Sequence, residues 1–318
     1  GDEKKPDFPD FDKVTDGYTK VVSSLNEKTM YTLYRRDKDG QLLAELPPNF
    51  ESQRVYVGYT VAAGTPTAGI QFSEAYVYWK RYDDKLALIQ PQLGTRTTGD
   101  FESKQSAEQL FTDRVLLSVP IKTMGPGGGP VIDMDGLLVG KASEFFGRAA
   151  RGLQTDLVRI VKAKAFPENM TISFEVPDQS GQLITLAYSM SVLPNSTGYE
   201  PREADPRIGY FGTAYFDLAK VEQNEGWTRY INRWKLEKAD PNLSKSPPKE
   251  PIVFYLDHKT PVRYRRWVRD GVLEWNKAYE QVGIVNAIEV YQQDARTGAH
   301  MDKDPEDVRY NFIVWNSN

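Results

Sequence analysis

Hydrophobic and polar residues alternate over short stretches between residues 17 and 140, which is typical of β-strands with one buried face. Residues 30–34 alternate in this way, and the turn at 37–40 leads into a second apolar run at 41–46. This arrangement predicts a β-hairpin. Strands at such short spacing favour an antiparallel sheet. Further strands are predicted at 54–61, 74–81, 85–90, 115–121, 170–176 and 182–192.

Residues 125–130 read Gly-Pro-Gly-Gly-Gly-Pro and resemble a phosphate-binding loop superficially. The stretch lacks the lysine and the following helix that make such a loop bind phosphate. We therefore expect a flexible loop that precedes a strand at 131–134.

The last third of the chain shows a different pattern. Residues 251–257 are apolar at nearly every position, as in a strand buried on both faces. Pro261 suits the first position of a helix predicted over 261–282, and further strands are predicted near 285–290 and 308–315. Spacing of three and four residues predicts one broad helical face buried on the sheet, formed by Tyr264, Trp267, Val268, Gly271, Val272, Trp275, Ala278, Tyr279 and Val282.

These patterns predict an α+β fold in which a largely antiparallel β region precedes a strand-helix-strand-strand unit. Residues 1–16 are charged and contain prolines, so we expect a flexible arm there. The polar, proline-rich stretch at 238–251 predicts a linker. The domain boundaries expected are therefore 17–240 for a β-rich accessory or propeptide-like domain and 251–318 for the second unit.

Composition and charge narrow the classes of function. The 318 residues carry a net charge of −4 and no cysteine, which excludes disulfides, thiolate nucleophiles and cysteine-bound zinc. Basic residues are scattered rather than clustered, so a nucleic-acid partner is not expected. No apolar run approaches the ~20 residues that span a bilayer, so no membrane span is expected either.

Three blocks in the last third, at 251–257, 275–279 and 307–311, resemble the start of the catalytic domain of metzincin-type zinc proteases. Blocks at 205–211 and 232–237 resemble an accessory region that precedes the peptidase domain in large bacterial zinc-dependent metalloproteases, known mostly as domains of unknown function. The resemblance implies the N-terminal portion of a secreted or cell-envelope protease. Its expected partners are the remainder of its own peptidase domain and a protein or peptide substrate.

The zinc motif of that family, H-E-x-x-H, does not occur in the sequence. His258 and His300 are its two histidines, and neither lies within a helical turn of the other. Because catalytic zinc needs three protein ligands, we assign no catalytic or metal residue, and zinc is expected in the full-length protein alone. The chain by itself is expected to bind no stoichiometric zinc and to cleave no peptide.

Paired charges and aromatic residues are dense between residues 202 and 237. This density is consistent with a docking surface and equally with solvated ion pairs around turns, and we expect the segment to pack against 251–315. A latency role would require a carboxylate such as Asp205 or Asp217 to reach the zinc. The candidate docking residues are Asp205, Arg207, Tyr210, Asp217, Arg233, Trp234 and Glu237.

Two other functions stay open at this stage. One is a non-catalytic binding protein that retains a degenerate metzincin-like scaffold, which a native stop codon after Asn318 would favour. The other is a carbohydrate-binding or carbohydrate-cleaving β-protein, suggested by Tyr76, Tyr78 and Trp79 on one predicted strand.

Overall fold

The computed structural model describes residues 8–23, 28–66, 68–220 and 226–315. Its internal contacts divide the chain into two compact units, unit 1 ending at Ile231 and unit 2 beginning at Asn232. The predicted linker at 238–251 therefore lies inside unit 2. There it forms β-bridges from Lys238 to Pro248 and from Ser246 to Ile284.

Unit 1 contains fourteen short or medium strands and four short helices in its described residues. The strands are β1 (Thr19–Lys20), β2 (Thr32–Arg36), β3 (Gln41–Glu45), β4 (Arg54–Ala63), β5 (Gln71–Tyr82), β6 (Lys85–Gln90), β7 (Thr95–Arg96), β8 (Arg114–Met124), β9 (Pro130–Asp133), β10 (Arg159–Ala165), β11 (Asn169–Pro177), β12 (Leu183–Leu193), β13 (Gly212–Asp217) and β14 (Trp227–Ile231). The helices are α1 (Phe11–Val14), α2 (Phe101–Leu110), α3 (Met134–Leu138) and α4 (Ala142–Phe146).

Eleven of these strands form one sheet in the order β1-β2-β3-β9-β8-β6-β5-β4-β12-β11-β10. Neighbouring strands are antiparallel, and the sheet curls into a half-barrel. The hairpin predicted at 30–46 is confirmed as β2 and β3, which pair from Thr32 with Glu45 to Arg36 with Gln41.

The core of unit 1 lies on one face of the curled sheet because buried and partly exposed side chains alternate along its central strands. On β4, for example, Val55, Val57 and Tyr59 are buried. Trp79 on β5 is fully buried and its indole N–H donates to the Tyr31 hydroxyl at 3.1 Å. Helices α3 and α4 add apolar side chains to the same core.

The glycine-rich stretch at 125–129 is the tight turn between β8 and β9, folded around a buried carboxylate. The N–H of Gly127 donates to Glu45 Oε1 at 2.6 Å, and the Tyr34 hydroxyl donates to Glu45 Oε2 at 3.0 Å. A Cβ at Gly125 would overlap the Glu45 carboxylate. The glycines are therefore required because another strand approaches them closely. The prediction of a flexible loop at this position does not include this role.

In its described residues, unit 2 contains three strands that pair in parallel, and the central one is β15 (Ile252–Leu256). The Asn276 side chain closes the helical layer onto this sheet, because its amide donates to Ile288 O at 3.0 Å and accepts from Ile288 N at 2.8 Å. The elements are β15 (Ile252–Leu256), α5 (Val262–Leu273), α6 (Trp275–Gln281), β16 (Ile288–Gln292) and β17 (Asn311–Ile313).

The expected fold class, α+β with a metzincin-like strand-helix-strand-strand unit, is wrong. The protein is mostly β: strands make up 39% of it, helices are few, and the half-barrel sheet dominates. The expected broad buried helical face is also wrong. Val272 and Tyr279 pack on the small core of unit 2, whereas Trp267 is 66% and Trp275 64% exposed. The spacing of apolar residues placed all of them on one helical face, but only half of that face packs on the sheet.

The described part of the expected N-terminal arm contacts the half-barrel. Residues 1–7 lie outside the described ranges, whereas Phe8 packs against the core and the Thr123 hydroxyl donates to Pro9 O at 2.6 Å. Helix α1 places the Phe11 ring edge-on to Tyr34, with ring centroids 5.4 Å apart.

Candidate functional site

Much of the predicted docking segment, residues 202–237, lies in a second sheet of unit 1, which has three strands. Strand β13 pairs antiparallel with β14 and parallel with β7. The chain before β13 continues the sheet on the far side of β14, because Ala204 N–H donates to Arg229 O and Ile231 N–H donates to Arg202 O. Residues 205–211 therefore form the loop that connects the segment at 202–204 to β13.

Asp217 anchors this small sheet at the end of β13. Its side chain is 1% exposed and accepts hydrogen bonds from the Thr98 N–H at 3.1 Å, the Thr98 hydroxyl at 2.8 Å and the Ala219 N–H at 3.0 Å. Burial alone would raise the pKa of Asp217, but these hydrogen bonds together outweigh it and hold the pKa below its usual value. The carboxylate is therefore a structural anion, buried and fully engaged.

Replacing this anchor is expected to destabilise the small sheet. Asp217→Asn keeps an oxygen for the Thr98 and Ala219 N–H groups, but it loses the negative charge and puts an NH2 group where Oδ2 accepted from the Thr98 hydroxyl. Because hydrogen bonds to a charged acceptor are stronger than those to a neutral one, we expect a loss of about 1–3 kcal/mol. Because the folded pKa is lowered, the carboxylate stabilises the fold above the unfolded value and this contribution disappears as the pH falls through the folded value. Urea unfolding at pH 7 and pH 3 measures both effects; equal stability of the two proteins at pH 7 would contradict the anchor role.

The loop at residues 205–211 presents apolar side chains to solvent. Phe211 is 90% exposed, and Ile208 and Tyr210 are each more than half exposed; we call these three residues the docking patch. The turn before them is fixed by a two-pronged ion pair in which Arg207 donates to both carboxylate oxygens of Asp205, at 2.6 Å for the shortest contact. That contact also holds the pKa of Asp205 below its usual value.

A cavity of about 230 Å³ opens beside this turn. Pro206 and the indole of Trp227 are among its apolar walls, and Glu203, Lys220 and Arg229 supply charge of both signs. The Trp227 ring is held by edge-on packing against Phe216, with ring centroids 5.5 Å apart. Exposed apolar side chains of this kind are typical of interaction surfaces.

The structure brings together some of the predicted docking residues and separates others. Asp205, Arg207, Tyr210 and Asp217 belong to the small sheet of unit 1 or to its loop. Arg233, Trp234 and Glu237 belong to unit 2.

Three of the charged candidates bind residues of their own unit. Arg207 pairs with Asp205 and Asp217 binds Thr98. In unit 2, Glu237 pairs with Lys249 at 2.9 Å, and the Trp234 ring packs edge-on against Phe254.

Two of the residues that matter here were not among the sequence candidates. Thr98 lies 119 positions from Asp217, and no local pattern points to it. Phe211 had a visible signal, since it lies in an aromatic run between charged residues, but the sequence does not indicate which aromatic residues stay exposed.

The two histidines do not form a zinc site with the residues around them. His258 Nδ1 lies 3.0 Å from Asp257 Oδ1, and the His300 ring packs against Tyr255 and Tyr291. Within the described ranges, no group of three or more His, Asp or Glu side chains is arranged to hold a metal ion. The residues present therefore do not fit the zinc that the resemblance implies for the full-length protein, and no step through zinc is assigned to them.

Where the structure describes the chain, no helix is both long and apolar enough to cross a membrane.

The three aromatic residues that suggested carbohydrate binding lie on opposite faces of β5. Trp79 belongs to the core, whereas Tyr76 and Tyr78 are half-buried on the opposite face. The Tyr78 hydroxyl donates to Asp113 Oδ2 at 2.7 Å, and the Arg54 guanidinium lies over its ring at 4.5 Å. The hydroxyl and the ring of Tyr78 therefore both have partners within unit 1.

The fold and this surface define a β-rich module with a small sheet that presents a docking patch. A protein-family model described as "Domain of unknown function (DUF5117)" matches residues 69–239, which is more than half of the chain and includes the docking patch. The chain belongs to this family. No curated protein and no solved structure matches it.

Proposed function

We propose that this chain is a non-catalytic accessory region of a secreted or cell-envelope zinc-dependent protease and that it docks onto the peptidase domain of the same protein. The protease assignment rests on the sequence resemblance of residues 205–211 and 232–237. The docking assignment rests on the structure of unit 1.

The exposed Phe211 ring is the observation that carries the docking proposal. A phenylalanine left 90% exposed forgoes about 2–3 kcal/mol of burial, and the turn beside it is held in place by the Asp205–Arg207 pair. An aromatic side chain has few rotatable bonds and loses little conformational freedom when it binds, which is one reason that aromatic residues dominate interfaces. The partner that fits has an apolar pocket with a polar rim.

Zinc and the cleavage chemistry belong, in this proposal, to the partner domain. The substrate would be a protein or a peptide, as the resemblance implies. The chain's own contribution would be to hold or cover the peptidase domain through the docking patch.

Sequencing the gene beyond codon 318 tests the protease assignment. The proposal expects the reading frame to continue into a segment with an H-E-x-x-H motif. A native stop codon after Asn318 would instead favour a free-standing binding protein and would overturn the assignment to a protease.

Amide hydrogen exchange tests the docking assignment. Residues 205–216 are expected to exchange at least tenfold more slowly in the longer protein than in the 318-residue chain, because docking covers them. The change Phe211→Ser should abolish this protection, whereas Leu110→Ser, which removes an exposed apolar side chain from α2, should leave it unchanged. Equal exchange in the two proteins would show that the docking patch has no intramolecular partner.

A further inference from the structure

A cavity of about 460 Å³ opens on unit 1, where Tyr76 of β5, the loop after β6 and the start of β8 come together. Its volume lies in the range of about 300–1,000 Å³ that is typical of small-molecule sites. It shares no described lining residue with the cavity beside the docking patch. The proposed docking function therefore does not use it.

The loop at residues 91–94 forms one wall of this cavity and is held in place at both ends. The Gln92 N–H donates to Asp113 Oδ1 at 2.9 Å. Gly94 O accepts from the Phe216 N–H at 2.8 Å, which ties the loop to β13. Within the loop, the Gly94 N–H donates to Gln92 Oε1 at 3.0 Å. A wall fixed in this way loses little conformational freedom when a ligand binds.

Asp113 stands behind the wall and is bonded through both of its oxygens. Besides the Gln92 N–H on Oδ1, its Oδ2 accepts from the Tyr78 hydroxyl at 2.7 Å. The Gln92 and Tyr78 bonds hold the pKa of Asp113 below its usual value. Asp113 and Tyr78 therefore support the wall, and neither is among the described residues that line the cavity.

The polar side chains that line the cavity are mostly unused within the chain. Gln92 commits its oxygen to Gly94, and its NH2 group has no partner among the described residues. The same part of the chain supplies no hydrogen-bond partner for the side chains of Tyr76, Gln90 and Thr112. These amide and hydroxyl groups can both donate and accept hydrogen bonds, so they are available to a polar ligand.

Arg114 is the one charged residue among the described lining residues. It lies opposite Gln90 in the register of β6 and β8. Its side chain is 71% exposed, and its acidic neighbour Glu144 is 4.0 Å away, at the outer limit of an ion pair. A guanidinium held so weakly is free to bind a carboxylate with two parallel hydrogen bonds.

We propose that this cavity binds an acidic saccharide, that is, linked sugar rings of which at least one carries a carboxylate. The hydroxyl groups of a sugar both donate and accept, which matches the amide and hydroxyl groups of the lining. The half-buried Tyr76 ring offers the face of an aromatic ring to the C–H groups of a sugar. Arg114 binds the carboxylate.

A peptide fits the same cavity less well. Peptide recognition relies on a free strand edge or on apolar pockets that take alternate side chains. The aliphatic side chains among the described lining residues are Pro91 and Leu93 alone, and Leu93 is 42% exposed. The polar groups outnumber them, as a sugar requires.

Isothermal titration calorimetry of the 318-residue chain tests the ligand class. Digalacturonate and diglucuronate are the probes, and at least one should bind with a Kd below about 1 mM. Neutral disaccharides of the same linkages, galactobiose and cellobiose, should bind at least tenfold more weakly because they offer no carboxylate to Arg114. If neither acidic probe binds saturably, or if the neutral sugars bind equally well, the proposal is overturned.

Glutarate and trialanine separate a saccharide site from a site for any carboxylate. Both carry a carboxylate, but neither has the hydroxyl groups or the ring face of a sugar, so each should bind at least tenfold more weakly than the better acidic probe. Equal affinity for either compound would reject the saccharide and leave a general carboxylate or peptide site.

Two substitutions with matched controls place the ligand in this cavity. Arg114→Gln should remove the preference for acidic over neutral disaccharides, whereas Arg159→Gln, at an exposed position of β10, should keep it. Tyr76→Leu should weaken binding of both kinds at least tenfold, whereas Tyr82→Leu, farther along β5, should not. Circular dichroism checks that each variant folds. An undiminished preference for acidic sugars in Arg114→Gln would show that the carboxylate binds elsewhere and would reject the site.

Discussion

The variant Asp135→Asn is expected to be more stable than the natural protein at pH 8, by up to about 4 kcal/mol, and equally stable near pH 4. Burial raises the pKa of Asp135 from 3.8 to about 7, with smaller contributions from the negative charges of Asp133 and Asp39. The Leu42 N–H, which donates to Asp135 Oδ2 at 2.7 Å, opposes this shift but does not cancel it. The other oxygen, Oδ1, is buried without a hydrogen-bond partner in the described residues.

The direction of the effect follows from proton binding. Between pH 3.8 and about 7 the folded chain keeps a proton on Asp135 that the unfolded chain releases. This stabilisation is fully present below the unfolded pKa and is lost as the pH rises through the folded value. Asparagine has no proton to lose and keeps an oxygen for the Leu42 N–H, so its stability should not depend on this titration.

Urea unfolding at pH 5 and pH 8 measures the difference. The natural protein should lose stability between these values and Asp135→Asn should lose less. Asp178→Asn serves as the control, because hydrogen bonds lower the pKa of Asp178 and its titration lies below this window. The same pH dependence in the natural protein and in Asp135→Asn would show that Asp135 is not the group responsible.

The second large effect is expected for Gly129→Ala, which should destabilise unit 1 by about 3–5 kcal/mol or prevent it from folding. A Cβ at Gly129 would overlap the backbone carbonyl of Leu46. That backbone cannot move away freely, because Leu46 N–H donates to Pro130 O at 3.0 Å and β3 pairs with β9 directly beside it. The added methyl group must therefore separate the turn from the strand.

Thermal unfolding followed by circular dichroism checks this result. Gly209→Ala is the matched control: it adds the same methyl group where no atom lies within 4 Å, and its melting temperature should stay within a few degrees of the natural protein. If Gly129→Ala melts at the same temperature as Gly209→Ala, the close approach of the turn to β3 is not rigid.

The sequence by itself determined many of the strands of the half-barrel, because strands such as β4 and β12 alternate apolar and polar side chains within a few residues. Val55, Val57 and Tyr59 on β4 show this pattern directly. It also determined that no H-E-x-x-H motif is present. Both features are properties of neighbouring positions and need no knowledge of the fold.

Only the tertiary structure decided which surfaces are covered. Apolar spacing placed Trp267 and Trp275 on the same face as Val272, but a helix exposes what its sheet is too small to cover. Likewise, Gly125 and Gly127 are needed because of Glu45, some 80 positions away, and Asp217 is held by Thr98, 119 positions away. Contacts between strands distant in sequence decide these roles, and no local periodicity encodes them.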